Sequence, residues 1–443
     1  MTGGKDTIFA LSSGSLPSGV GLIRVSGPKV RPVLATLIDS YPEPRKATLC
    51  SLKDGAGEEI DRGLVLFFPG PASFTGEDVA EFHVHGGRAV VAALLGRMSE
   101  LDGLRPAEPG EFTRRAFVNG RMDLTEVEGL GDLVAAETEA QRRQAVRQSF
   151  GVLRQRLEGW REWLVKARAL IEAELDFADE ADVPVAVSDE AWALVREVMT
   201  EIGRALDDGG RGERLRAGAE VVVTGPVNSG KSSLINALAR RDVAIVSAEP
   251  GTTRDLIEVH LDVGGYPLTV VDTAGLRETD GVVEKEGIRR GRTRAGAADM
   301  VLALDDVTIG PSFDAVAPGL VLRVGTKIDR IDSDEERARL SAIFDVLTSS
   351  ETGEGLDALV ARLTAFARER MDPGDGGLVT RTRHRTGLET CRRALDAALV
   401  RSLPLELRAE ELRRATDALG RLTGRVDVED LLDVIFRDFC IGK

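Results

Sequence analysis

This 443-residue chain has no net positive charge, few cysteines and no long apolar run. Each scarcity argues against a class of function. Acidic residues outnumber basic ones, 73 to 58, for a formal net charge of −15. That balance argues against tight, sequence-blind binding to phosphate backbones, although a local basic patch inside an acidic whole stays compatible with it. Three widely separated cysteines, Cys50, Cys391 and Cys440, build neither a disulfide framework nor a zinc knuckle and point to a reducing, cytoplasmic compartment. No uninterrupted apolar run reaches membrane-spanning length, so no transmembrane helix is expected. The N-terminal MTGGKDTIFALSSG lacks the basic-then-apolar pattern of a secretory signal.

The length exceeds one ordinary core, so several domains are expected. Residues 1–120 mix short β-rich runs with Gly/Pro punctuation: VGLIRVSG, RGLVLFFPG and EDVAEFHVHGG read as strands, and AVVAALLGRM as a helix. This predicts an α+β domain. Residues 121–216 turn helical. Val146, Phe150, Leu153, Leu157, Trp160, Leu164, Ala167 and Ile171 recur at steps of four and three, the stripe of a bundle helix. Over residues 217–371 strand and helix patterns alternate, starting with EVVVTG, as in a doubly wound α/β domain. Residues 372–443 are helical again. The order predicts one all-α domain with an α/β domain inserted into it.

That α/β segment carries the clearest chemistry. GPVNSGKS, Gly225 to Ser232, fits G-x-x-x-x-G-K-[ST] between a strand and a helix. Asn228, Ser229, Gly230, Lys231, Ser232 and Ser233 would wrap a phosphate at a helix N-terminus, with Lys231 on the β and γ oxygens and Ser232 on Mg²⁺. DTAG (Asp272, Thr273, Ala274, Gly275) ends the next strand, where an aspartate can hold Mg²⁺ through water. VSAEPGTTRD lies between them and offers Thr253, or Thr252, as a switch threonine. VGTKID places Lys327 and Asp329 after another strand; Asp329 suits the N1 and N2 donors of guanine, a pair adenine lacks. Threonine, Thr326, stands where asparagine is usual. TSSETGEG offers Ser349 and Ser350 as a base-stacking backbone. The four elements in order predict a GTPase, yet LRETD after DTAG supplies no water-positioning glutamine or histidine.

GPVNSGKSSLINAL, AIVSAEPGTTRD and DTAGLRET resemble the TrmE/Era-like branch of the GTPases. Adding GLIRVSG, FPGPASFTGEDVAEFHVHGG, PGEFTRRAFVNGRMDLTEVEGLGDLV and the terminal FCIGK, the chain as a whole is similar to the MnmE/TrmE family of bacterial tRNA-modification GTPases. The resemblance implies a folate-binding, dimerising N-terminal domain, a helical domain and an inserted P-loop G domain. It implies a homodimer that joins an FAD-containing partner, MnmG (GidA), in a heterotetramer. The activity implied is addition of an aminomethyl or carboxymethylaminomethyl group to C5 of the wobble uridine of certain tRNAs. The carbon would come from 5,10-methylene- or 5-formyl-tetrahydrofolate, and GTP hydrolysis would need Mg²⁺ and K⁺. By match of position, K⁺ would be held by Asn228, Ser247, Glu249 and Thr252 within a GTP-binding segment that also includes Ala248, Pro250, Gly251 and Thr253. Glu284 would orient water, and Arg24, Glu81, Arg121 and Lys443 would bind folate.

Several residues carry two readings. In VAEFHVH, Ala80, Phe82 and Val84 face one way and Glu81, His83 and His85 the other, which is an exposed strand face or a pterin site with Glu81 as acceptor. Cys440 is a nucleophile or a small buried hydrophobe. Leu431, Leu432, Ile435, Phe436 and Phe439 would anchor the tail by burial. Arg381 to Arg385, Arg413, Arg414, Arg421 and Arg425 are solvated helix faces or contacts to tRNA or a partner. A regulatory GTPase switch in ribosome or RNA assembly is the main competing function, and a folate-dependent aminomethyl transferase carrying an accessory GTPase is a third.

Overall fold

The computed structural model describes residues 6–176, 186–241, 243–245, 258–272, 296, 298–312, 320–372, 374, 377–426, 432, 435–436, 439 and 441–442. Its contacts divide the chain into two compact units. One comprises residues 1–131, 149–162 and 416–443, the other residues 132–148 and 163–415.

The first unit is built on a six-stranded sheet. β1 (Thr7–Leu11), β2 (Ser18–Ser26), β3 (Thr48–Lys53), β4 (Glu59–Phe68), β5 (Val79–Gly86) and β6 (Leu104–Pro106) lie in the order β3-β4-β5-β2-β1-β6. All pairs are antiparallel except β1 with β6. Alternating residues of each strand share a face, so Ile23, Val25, Val65, Phe67, Ala80, Phe82 and Val84 form a core. α1 (Val30–Leu37) and α2 (Arg88–Ser99) close it with Val33, Leu34, Leu37, Val91, Leu94 and Met98. Ile8 and Ala10 point the other way and meet Phe74 and Phe112, the latter on α3 (Glu111–Val118). Leu124 and Val127 of α4 (Leu124–Ala135) bury Leu432 and Phe436 near the chain's end. Of the five residues expected to anchor the tail, Leu431 lies outside the described residues, while Ile435 and Phe439 are partly buried against the same cluster.

The helices α5 (Glu139–Ser149) and α6 (Val152–Asp176) correct one expectation. The apolar stripe is not a single helix, because Gly151 adopts φ +82° between them, a left-handed turn that only glycine takes freely. Leu153, Leu157, Trp160, Leu164, Ala167 and Ile171 are buried, but Phe150 is 75% exposed.

The second unit holds a sheet in the order β12-β11-β10-β7-β9-β8. Its strands are β7 (Ala219–Thr224), β8 (Glu258–Val263), β9 (Tyr266–Asp272), β10 (Met300–Asp306), β11 (Leu320–Thr326) and β12 (Val346–Thr348), parallel except for the edge strand β8. Its remaining helices are α7 (Ala186–Leu206), α8 (Arg211–Ala217), α9 (Lys231–Ala239), α10 (Asp334–Ser341), α11 (Leu356–Met371), α12 (Thr382–Ala398) and α13 (Leu405–Thr423), the last crossing into the first unit. Leu234, Ile235 and Leu238 of α9 and Leu359, Leu363 and Phe366 of α11 pack on Val221, Val223 and Val270. Runs of buried valine are what a parallel strand covered on both faces requires. Among the described residues no helix is long and apolar enough to cross a membrane.

The turn after β12 is cut to shape by glycine. Gly353 and Gly355 both have positive φ, +82° and +74°. A Cβ on Gly353 meets nothing, whereas one on Gly355 runs into the Leu347 carbonyl oxygen. Gly353→Ala is therefore expected to cost about 1 kcal/mol, and Gly355→Ala roughly 3 kcal/mol or more. Denaturant midpoints of the two variants should separate accordingly; equal losses would contradict the steric argument.

Candidate functional site

The parallel strands of the second unit end together, and the loops they feed make the first site. After β7 the chain passes Gly225 at φ +147°, Asn228 at φ +64° and Gly230 at φ +88° before entering α9. Asparagine tolerates the left-handed region better than most side chains, which accounts for residue 228 at the loop's tip. Lys231 is buried, and its Nζ donates to the Gly225 and Pro226 carbonyls at 2.8 and 2.7 Å. Ser232 Oγ donates to Asp272 Oδ2 at 2.9 Å, joining the start of α9 to the end of β9. Two oxygen donors this close suit a Mg²⁺ ion that keeps several waters.

The end of β11 grips the same loop from the other side. Thr326 Oγ1 donates to the Ser229 carbonyl at 2.7 Å. Lys327, at φ +63°, donates from Nζ to the Asn228 carbonyl at 2.9 Å and to Asp306 at 2.6 Å. Burial alone would raise the Asp306 carboxyl, but hydrogen bonds from Lys327 and Thr308 outweigh it and hold it below the usual range. The Thr326 hydroxyl supports the loop as the sequence suggests, whereas nothing in the sequence singles out Asp306, whose lysine partner lies 21 positions away, just past the end of the next strand. A cavity of about 640 Å³ opens here, lined by Gly230, Ser233, Thr326, Lys327, Asp329 and Ser350 among others. Ser349 is fully buried, and its Oγ accepts from the Glu351 and Thr352 N–H groups, which shapes the wall. The described residues expected to meet phosphate, Mg²⁺ and base thus lie on adjoining loops. Ser247, Ala248, Glu249, Pro250, Gly251, Thr252, Thr253, Thr273, Ala274, Gly275 and Glu284 lie outside the described residues.

The second cluster belongs to the first unit. Register sets Arg24 of β2 opposite Glu81 of β5, and both guanidinium contacts, 3.0 and 2.9 Å, fall on Glu81 Oε1. Oε2 faces His83 Nε2 at 3.7 Å, beyond hydrogen-bonding range. Arg24 also lies over the rings of Phe74 and Phe112, 5.3 and 5.8 Å to their centroids, a cation–π arrangement. The loop bearing Phe74 is stitched to α3 and the residues after it: Asn119 donates to the Thr75 carbonyl at 2.7 Å, Arg121 to the Ser73 carbonyl at 3.1 Å and Arg115 to Glu77 at 3.2 Å. Sequence reasoning missed Phe74, Phe112, Arg115 and Asn119, whose only signal was membership of the resembling segments. The tail runs nearby. Ile441 bridges to Pro109, and Ser12 Oγ donates to the Gly442 carbonyl at 2.8 Å. Cys440 and Lys443 lie outside the described residues. The other two cysteines are buried, and burial pushes the Cys391 thiol up to about 12, which suits packing rather than nucleophilic attack.

The arginines of the helical segments are largely engaged internally. Arg381 pairs with Asp132, Arg385 with Asp208 and Glu213, Arg413 with Glu410, Arg414 with Glu411 and Arg425 with Glu158.

Beside Arg121, Asp123 caps α4. Its Oδ1 accepts from the Glu126 N–H and the Thr125 hydroxyl, while Glu126 accepts from the Asp123 N–H, a reciprocal capping box. Oδ2 is buried with no partner, and burial pushes this carboxyl from 3.8 up to about 6. Because the folded value is the higher one, protonation favours the folded state. The stabilisation is full below about pH 4 and is lost as pH rises through 6. Asp123→Asn keeps a capping oxygen and should flatten the denaturation midpoint of the first unit between these pH values; an unchanged slope would refute the assignment.

Residues 7–121 match the GTP-binding protein TrmE N-terminus and residues 124–440 the MnmE helical domain. The chain is 53% identical over 442 residues to the tRNA modification GTPase MnmE of Brucella anthropi, covering 99% of this chain and 98% of the relative. It is 52% identical over 438 residues to that of Rhodopseudomonas palustris, covering 99% of each. The G domain of the T. maritima FeoB iron transporter is 28% identical over 34% of this chain and 98% of its own, with a TM-score of 0.26. With full-length identities of this size, the chain belongs to the MnmE family of tRNA modification GTPases.

Proposed function

We propose that this chain is a GTP-hydrolysing tRNA-modification enzyme that, as a homodimer with an FAD-containing MnmG-type partner, builds an aminomethyl or carboxymethylaminomethyl group on C5 of the wobble uridine of certain tRNAs. The observation that carries this reading is the presence of two separate sites in one family member. One has Ser232 and Asp272 joined at a phosphate loop; the other has an arginine-fixed carboxylate on an aromatic floor.

In the first site Lys231 and the loop N–H groups would hold the phosphates, and Asp329 would accept from guanine N1–H and the 2-amino group. Mg²⁺ would be held by Ser232 and Thr253, with Asp272 behind, and would neutralise charge on the phosphate oxygens. K⁺ beside Asn228, Ser247, Glu249 and Thr252 would add the charge that an arginine finger supplies elsewhere, and Glu284 would orient the water. In the second site Glu81 offers a carboxylate to the donor pair of a pterin, and Arg24 fixes its orientation. The fit is supported by Glu81 Oε2, which lies outside the ion pair's own hydrogen bonds. A tetrahydrofolate there would supply the one-carbon unit; Arg121 and Lys443 would meet its polar groups and Cys440 is a candidate nucleophile.

Nucleosides of tRNA from cells lacking this chain should miss the C5 group at the wobble uridine by mass spectrometry. Intact nucleosides would favour the assembly-switch reading instead. GTP turnover should rise roughly tenfold or more in K⁺ over Na⁺. Asn228→Gly should abolish that response while nucleotide binding persists, since glycine removes the side chain at φ +64° without strain; equal turnover of the wild type in both salts would sink the cation assignment. Deleting Ile441–Lys443 removes the Pro109 bridge and the Ser12 bond. It should abolish modification and weaken folate binding with hydrolysis retained. Cys440→Ser should affect modification alone, and wild-type modification by that variant would assign the thiol to packing.

A further inference from the structure

Guanine presents two edges to a binding site. Its N1–H and 2-amino group are donors, met by a carboxylate such as Asp329. Its O6 and N7 are acceptors, and a side chain meets them only if it brings a free proton. Thr326 ends β11, one residue before the Lys327-capped turn that carries Asp329, and lines the same cavity. A threonine hydroxyl has one proton to donate. Thr326 Oγ1 lies 2.7 Å from the Ser229 carbonyl and 3.1 Å from the Asp305 carbonyl, both pure acceptors, and the residue is only 2% exposed. That proton is committed to backbone. The neighbouring ammonium of Lys327 is turned onto Asp306 and the Asn228 carbonyl. An asparagine amide would bring two protons, one for the phosphate loop and one for the base.

We infer that this nucleotide site reads guanine without its N7: Thr326 tethers the phosphate loop and offers the base no donor, so selection rests on the N1/N2 edge at Asp329. The site therefore takes 7-deazaguanine nucleotides as readily as guanine nucleotides. This rests on the guanine-site reading proposed above.

Titration calorimetry of the full chain with GDP, 7-deaza-GDP and IDP tests it. The dissociation constants of GDP and 7-deaza-GDP should agree within about twofold, while IDP, lacking the 2-amino group, should bind about tenfold or more weakly. A loss of about fivefold or more for 7-deaza-GDP in the wild type would overturn the inference. Thr326→Val keeps the shape but removes the tether, and should weaken GDP and 7-deaza-GDP by the same factor; unequal losses would show that the hydroxyl does reach the base. Thr326→Asn should create about fivefold discrimination against 7-deaza-GDP, and its absence would remove position 326 from the N7 edge. Asp329→Asn is the separate control. If GDP binding survives it unchanged, the guanine-site reading itself fails, whatever the 7-deaza comparison gives.

Discussion

A loop that turns its N–H groups toward phosphates must turn carbonyls outward, and outward carbonyls inside a fold need donors. In the second unit those donors are side chains from two elements. Lys231 serves Gly225 and Pro226; Lys327 and Thr326 serve Asn228 and Ser229. The strand ends, the left-handed turns at Gly225, Asn228 and Gly230, and the buried Asp306 all follow from that requirement. Loop and cavity wall are therefore one hydrogen-bonded object.

The same constraint organises the first unit. The loop from Gly70 to Asp78 has little repeating structure, and two of its carbonyls are claimed by residues that follow α3: Ser73 by Arg121, Thr75 by Asn119. The half-buried Arg115 cluster with Asp6, Glu77 and Glu111 locks the far side. Breaking one partner of such a cluster is costly because it leaves the others uncompensated. The result is a fixed position for Phe74 beneath Arg24. Without it the Arg24–Glu81 pair would be an ordinary cross-strand ion pair worth little.

Charge is used in the same local way. The arginines near the end of the chain look like a basic patch in one dimension, but Arg381, Arg385 and Arg425 each meet an acidic residue far away in sequence. Pairs such as Arg413 with Glu410 occupy adjacent turns of one helix and add only tenths of a kcal/mol, roughly, to its stability. The −15 balance is thus spread over a surface on which many basic groups are already matched.

Sequence alone determined the features with local periodicity or fixed spacing. The alternation in β5, the strand–loop–helix around Gly225–Ser232, and the order of nucleotide elements all rest on neighbours within a few residues, where backbone geometry dictates the pattern. The stripe from Val146 to Ile171 keeps one helical period across a break that its sequence does not announce; Gly151's positive φ separates the two helices and Phe150 is left exposed. The tertiary structure alone decided which carboxylate meets which arginine, that Phe74 and Phe112 floor the Arg24 site, and that the Thr326 hydroxyl is spent on Ser229. Those contacts join residues tens to hundreds of positions apart. A single proton or a single guanidinium is assigned to its partner only when the whole chain has closed around it.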